Sequence, residues 1–160
     1  MTISIYANPY SYNATGFYFE SIEDYNDKYE KNFEKYHCEE YEFDFIDGDE
    51  ILEILFTTLG NCQVMKILEL YEDGEIDCVH KARQLEVCMN VLGMDIDDAL
   101  NNYEDIYLFE GTKRDYAYDS FPWHDIPEYL HSYVDIEQYV TDLECGGDIT
   151  DLGNGYIYIR

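Results

Sequence analysis

The sequence predicts an α+β fold in three segments, and three features of the chain support that prediction. Residues 1–47 contain short alternations of apolar and polar residues, typical of strands, and one helical pattern. Residues 48–102 repeat apolar residues at helical spacing between short loops, which predicts a helical bundle. Residues 103–160 combine strands with helices, so we expect a second α+β segment there.

In the N-terminal segment, residues 3–8 and 17–19 are predicted strands separated by a loop rich in turn residues. Ser21 is a predicted helix N-cap, and the helix is expected to run to about Tyr36 with its aromatic residues on one face. Residues 41–46 alternate apolar side chains with acids. This pattern predicts a half-buried strand that presents carboxylates on its other face.

The central segment contains four predicted helices. They begin near residues 49, 64, 79 and 95, and the first three end at or just before glycines. The C-terminal segment predicts a strand at 105–109, a turn at 111–114 and an irregular stretch at 121–125. Two helices at 126–133 and 135–144 follow, and a hairpin closes the segment at 149–152 and 156–159, since Asn154-Gly155 is a strong turn signal.

The charge is the most informative property of the chain. It carries 36 Asp and Glu against 9 Lys and Arg, a net charge of -27, and the acids are dispersed rather than gathered in a tail. Residues 36–65 and 115–159 contain no Lys or Arg. With 46% hydrophobic residues the chain can still build a core. Such a surface is not expected to bind DNA, RNA or anionic lipid, but it should attract basic clefts.

Sequence motifs for catalysis are absent. The chain has no CxxC pair, no GxSxG, no EF-hand pattern and no glycine-rich phosphate loop, so we predict no catalytic, metal or cofactor residues and no enzyme activity. It has no run of 18 apolar residues, and its N-terminus lacks the pattern of a signal peptide. Five unpaired cysteines fit reduced thiols. A bacterial cytoplasm is therefore the expected location.

The spacing of the acids suggests mimicry of a nucleic-acid backbone. Duplex DNA carries about one charge per 1.7 Å of axis. Carboxylates four residues apart on a helix are separated by about 6 Å along the axis, and those two apart on a strand by about 6.6 Å. Both distances are on the scale of neighbouring phosphates. The alternative interpretation is an acidic surface that only prevents aggregation, as in salt-loving organisms.

The candidate contact residues are acids expected on the surface, most of them in the cation-free stretches. Their role is collective, so no single one is expected to be essential. They are Glu39, Glu42, Asp44, Asp47, Asp49, Glu53, Asp95, Asp97, Asp98, Asp115, Asp119, Asp125, Glu128, Asp135 and Glu137.

Three stretches of the sequence resemble the ArdA-type antirestriction proteins of conjugative elements and phages. They are the opening strand with its Tyr12-Asn13 turn, residues 40–44, and residues 126–149 with the elements Ile126-Pro127-Glu128-Tyr129-Leu130 and Tyr133-Val134-Asp135. Thr141 and Ile136 depart from the family pattern, where Arg and Tyr are usual, and residues 110–124 also differ. In the ArdA-type family, the segment that corresponds roughly to residues 110–124 is associated with antirestriction activity.

The resemblance implies an elongated DNA mimic, often a homodimer, that occupies the DNA groove of a Type I restriction–modification enzyme. Two alternatives remain open from the sequence. The target can be another defence nuclease, such as a CRISPR-type effector. The chain can also be an acidic scaffold that binds a basic nucleoid or regulatory protein without copying the shape of DNA.

Overall fold

The computed structural model describes residues 3–160 and confirms the α+β class. The chain packs as two compact units, one ending at Asn101 and the other spanning Asn102–Arg160. The predicted segments 1–47 and 48–102, apart from Asn102, fall within the first unit, since the strand at the end of one packs on the first helix of the other. The second unit begins one residue before the predicted start of the C-terminal segment at 103.

The first unit contains an antiparallel sheet of three strands in the order β2-β1-β3. The strands are β1 (Ser4–Pro9), β2 (Phe17–Phe19) and β3 (Tyr41–Asp47), all predicted from the sequence. β1 pairs with both neighbours, and its register with β3 places Ile5 opposite Phe45 and Ala7 opposite Phe43. Ile5 and Ala7 are fully buried, so this face of the sheet belongs to the core.

Helix α1 (Ile22–Tyr36) covers the inner face of the sheet with aromatic rings. The predicted cap is present, because Asp24 N–H donates to Ser21 Oγ at 3.1 Å. Tyr25 contacts Phe19 and Phe43 edge-on, with ring centroids 5.0 and 5.7 Å away. Burial of its hydroxyl raises the pKa of Tyr25 to about 12. Because each aromatic ring buries a large area, a small number of rings is enough to fill the core between α1 and the sheet.

The predicted helices of the middle segment are confirmed as α2 (Glu50–Leu59), α3 (Val64–Glu72), α4 (Val79–Glu86) and α5 (Ile96–Asn102). A π-helical turn, Val87–Val91, extends α4. The rings of Phe45 on β3 and Phe56 on α2 stack with centroids 4.4 Å apart. This contact joins the sheet to the helices within one core.

The second unit has a three-stranded antiparallel sheet in the order β4-β6-β5. Its strands are β4 (Leu108–Glu110), β5 (Ile149–Gly153) and β6 (Tyr156–Ile159), and the predicted hairpin is formed by β5 and β6. Helices α6 (Lys113–Ser120) and α7 (Ile136–Gly146) pack together. Ala117, Val140, Ile149 and Ile157 are buried and form the core.

The structure corrects three predictions in the second unit. The strand predicted at 105–109 starts at Leu108, because Tyr103–Asp105 forms a 3-10 turn. The helix predicted at 126–133 is shorter, since only Glu128–Tyr133 is helical, and it is a 3-10 helix with no buried side chain to stabilise an α-helix. Helix α6 was not predicted, and it includes half of the predicted turn at 111–114. Only Ala117 of α6 is buried, which explains its weak apolar pattern.

Among residues 3–160, no single helix has the length and hydropathy of a membrane span. The segments Glu50–Leu59 and Asn61–Glu72 meet those criteria only as a pair, with a bend of 110° between them.

Candidate partner-binding surface

Nearly all the acidic residues of the chain are exposed on the two units. The exceptions are half-buried: Asp24, Asp49 and Glu86. Because aromatic and aliphatic side chains build both cores, no carboxylate is needed in the interior. Each unit therefore presents its negative charge to solvent.

Most of the Lys and Arg side chains form ion pairs with acids close to them. They therefore neutralise little of the negative charge on the rest of the surface. Lys28 contacts Asp24 at 2.7 Å and Lys66 contacts Glu69 at 3.1 Å, each one turn along the same helix. Arg83 is buried and contacts Glu86 at 2.7 Å. In these three pairs the cation offsets the charge of an acid that was not predicted as a contact residue.

Four of the predicted contact acids have a second role, since they cap the N-termini of helices. Asp49 accepts from Leu52 N–H at 3.0 Å, and it also accepts from the hydroxyl of Tyr71, which raises the pKa of Tyr71. Asp95 and Asp135 accept from the third residue of α5 and α7, at 2.9 and 3.1 Å. The fourth, in α6, is described below. A carboxylate at a helix N-terminus satisfies free amides and favours the helix dipole.

Four other predicted acids have partners of a different kind. Asp47 accepts from the N–H of Gly48 at 3.0 Å, and Asp98 takes part in the cap of α5 through its backbone. Asp125 lies 3.3 Å from the ring of His124, a pair that is ionic only when the histidine is protonated. Glu137 forms an ion pair with Arg114, whose Nε lies 3.2 Å from the Glu137 carboxylate.

The remaining predicted acids have no side-chain hydrogen bond or ion pair within the part of the chain that the structure describes. All are exposed, and we call them the free acids. They are Glu39, Glu42, Asp44, Glu53, Asp97, Asp119 and Glu128. Five of them lie on the first unit and two on the second. Glu42 and Asp44 occupy alternate positions on the solvent face of β3, about 6.6 Å apart along the strand.

The sequence did not predict a cleft in the second unit, between the start of α6, helix α7 and the β5–β6 turn. Its volume is about 530 Å³. Lys113 lies in it, with Glu144 at 2.8 Å and Asp151 at 4.0 Å, and the contact with Glu144 raises the pKa of Lys113. The cations of this cleft are already paired. In residues 3–160, no group of three or more His, Cys, Asp or Glu side chains is arranged to hold a metal ion.

Helix α6 begins with a capping box that was not predicted from the sequence. Asp115 N–H donates to Thr112 Oγ1 at 3.1 Å, and Thr112 N–H donates back to the Asp115 carboxylate at 3.0 Å. The pattern Thr-x-x-Asp could have revealed this helix start. Asp115, predicted only as a contact acid, is therefore also a structural residue of the second unit.

We expect Thr112→Ala to lower the free energy of unfolding of the second unit by about 1 kcal/mol, since the cap is lost. Asp115→Asn should also destabilise it, whereas Asp119→Asn on the same helix should not. The hydrogen bonds from Thr112 lower the pKa of Asp115 below its ordinary value. Its contribution to stability is therefore present at neutral pH and is lost as the pH falls through that lowered pKa.

Urea titration of the three variants, followed by the fluorescence of Trp123 in the same unit, measures this effect. Equal midpoints for the Asp115 and Asp119 variants at neutral pH would contradict the structural role of Asp115.

A comparison of the chain with protein-family models found no match, and a comparison with curated proteins found none either.

Proposed function

We propose that the chain is a DNA-mimic antirestriction protein of the ArdA type, which occupies the DNA-binding groove of a Type I restriction–modification enzyme. The observation that carries the proposal is the exposure of free acids on both units while most cations are held in local pairs. A basic groove that neutralises phosphates can be neutralised by carboxylates in the same way. The chain acts by occupation, so it needs no catalytic residue.

The spacing of the predicted contact acids, all exposed in these examples, supports this function. Asp115 and Asp119 are four residues apart on α6 and share one side of that helix, about 6 Å apart along the axis. Glu42 and Asp44 give a similar interval on β3. Strands and helices thus both place negative charges at the interval of phosphates along one DNA strand. The proposed place of action is the cytoplasm of a bacterial host.

We also propose that two copies associate through the second unit. Tyr129 and Tyr133 are 77% and 82% exposed, and Leu130 beside them is 38% exposed. Copies of so acidic a chain repel each other, so their contact has to be apolar and poor in acids. Residues 129–133 of the 3-10 segment Glu128–Tyr133 contain no acid and meet that condition. Light scattering at moderate salt should give twice the mass of the 19.0 kDa chain.

A capture experiment tests the proposed function directly. The tagged protein is immobilised and mixed with bacterial lysate at low salt, and bound proteins are eluted first with duplex DNA and then with high salt. We expect a restriction–modification complex in the DNA eluate. A control column carries a variant with the free acids changed to Asn or Gln, and it should retain much less of that complex.

The other outcomes assign the protein to the remaining classes. A CRISPR-type nuclease in the DNA eluate would support DNA mimicry but would show that the target is not a Type I restriction–modification enzyme. Basic proteins that leave only with high salt and ignore DNA would contradict mimicry and indicate an acidic scaffold. Purified enzyme then completes the test, because a DNA mimic has to inhibit DNA binding by competition.

A further inference from the structure

The outer face of the first sheet carries tyrosine rings beside carboxylates, on the side that α1 does not cover. Register places Tyr6 of β1 directly opposite Tyr18 of β2 on one side and Asp44 of β3 on the other. The next pair along this face joins Asn8 to Glu42. Tyr18 is 58% exposed, and Asp44 and Glu42 are exposed as well. We call this surface, formed by Tyr6, Tyr18, Glu42 and Asp44, the tyrosine–carboxylate face.

The rings on this face are held in place. The centroids of Tyr6 and Tyr18 are 4.8 Å apart with their planes tilted by 50°. Tyr6 also lies against Gly16, where an added Cβ would overlap its hydroxyl and ring carbons. Glycine at position 16 thus leaves room for the Tyr6 ring to lie along the sheet. Rings that are already fixed lose little conformational entropy when a partner stacks on them.

We propose that the tyrosine–carboxylate face is a docking surface for arginine side chains of a basic partner protein. A guanidinium group can stack on an aromatic ring while it donates two hydrogen bonds to a carboxylate beside the ring. Lysine fits less well, because its ammonium group is compact, strongly hydrated and unable to stack. Asp44 next to Tyr6 provides both contacts within one row of the sheet.

Charge excludes the other occupants of this face. A nucleic acid would bring phosphates against Glu42 and Asp44, and a second copy of the chain would bring the same two carboxylates. An arginine-bearing protein is complementary to both the rings and the charges. The inference rests on the proposed function only in identifying the partner as a basic DNA-binding enzyme. It goes further in one respect, because it predicts that this face prefers arginine to lysine. Mimicry of DNA phosphates alone predicts no such preference.

The test uses two labelled peptides of equal charge, hexa-arginine and hexa-lysine, and fluorescence anisotropy at about 150 mM salt, where long-range attraction is screened. Acids elsewhere on the chain attract both peptides, so the measured quantity is the ratio of their affinities. We expect hexa-arginine to bind about fivefold more tightly, from a cation–π contact with a charge-assisted hydrogen bond. Tyr18→Leu and Asp44→Asn should each lower the ratio towards one.

Tyr107→Leu is the matched control, since Tyr107 is 64% exposed in the second unit and lies outside the proposed contact between copies. It should leave the ratio unchanged. The Tyr6 and Tyr18 ring resonances should also shift with hexa-arginine more than with hexa-lysine. Equal affinities, or a preference that survives both face variants, would overturn the inference. No DNA-binding enzyme is present, so this test and the DNA-elution test can fail independently.

Discussion

Phe56→Ala is expected to lower the free energy of unfolding of the first unit by about 3–5 kcal/mol. Phe56 is only 5% exposed, and its ring stacks on Phe45 with centroids 4.4 Å apart. Truncation removes the buried ring and leaves a cavity between β3 and α2. Because that contact joins the sheet to the helices, β1–β3 and α2–α4 should lose stability together. Hydrogen exchange of peptides from both regions, with urea unfolding, measures the effect.

Tyr12→Ala is the control for this prediction. Tyr12 is fully exposed in the loop after β1, so its truncation should change stability by less than about 0.5 kcal/mol. Loss of protection confined to α2–α4, with the sheet unaffected, would show that residues 1–47 form a separate domain. That outcome would support the division predicted from the sequence over the single packed unit.

Inhibition of the target enzyme should weaken steeply with salt. If the acids occupy the sites of six to ten phosphates, affinity should fall by about 10³–10⁵ between 50 and 200 mM salt. Each contact removed should reduce the slope of log affinity against log salt by about one. A fourfold variant of free acids tests this. It combines Glu39→Gln, Glu42→Gln, Asp44→Asn and Glu53→Gln.

The matched control removes the same charge from the solvent side of α1. It combines Glu23→Gln, Asp27→Asn, Glu30→Gln and Glu34→Gln, all at exposed positions. Competition binding against duplex DNA across a salt series compares the two variants. The first should lose about four units of slope and the control fewer. Loss of inhibition by one substitution in a folded protein, such as Asp44→Asn, would contradict a collective role.

The first unit was predictable because its local signals agree with its packing. Ser21 begins α1 as a cap, and alternation in residues 41–46 matches one buried and one exposed face of β3. The second unit was harder. Helix α6 buries only Ala117, so it has almost no apolar period, and its start is marked by the polar pair Thr112 and Asp115. Pro127 suggested a helix, and Glu128–Tyr133 forms one of the 3-10 type because it buries no side chain.

The candidate surface was predictable in composition and not in detail. Exposure of the acids follows from their charge, since an unpaired buried carboxylate is costly. Which acids act as caps depends on where each helix begins, and at Asp115 the only sequence signal of that start is the polar pattern Thr112-x-x-Asp115. The tyrosine–carboxylate face depends on strand register, because Tyr6, Tyr18 and Asp44 are distant in sequence. No local pattern indicates that register.

The close contacts around two glycines have a consequence for the evolution of the sequence. Gly16 leaves no room for a side chain beside Tyr6, and Gly48 leaves none beside Phe45. A free acid such as Glu53 is exposed, and Asp can replace Glu at that position with little effect on folding. Lineages should therefore exchange their acids quickly while they keep their glycines and ring contacts. Sequence similarity among related proteins of this kind should therefore be higher in the core than on the surface that binds the target.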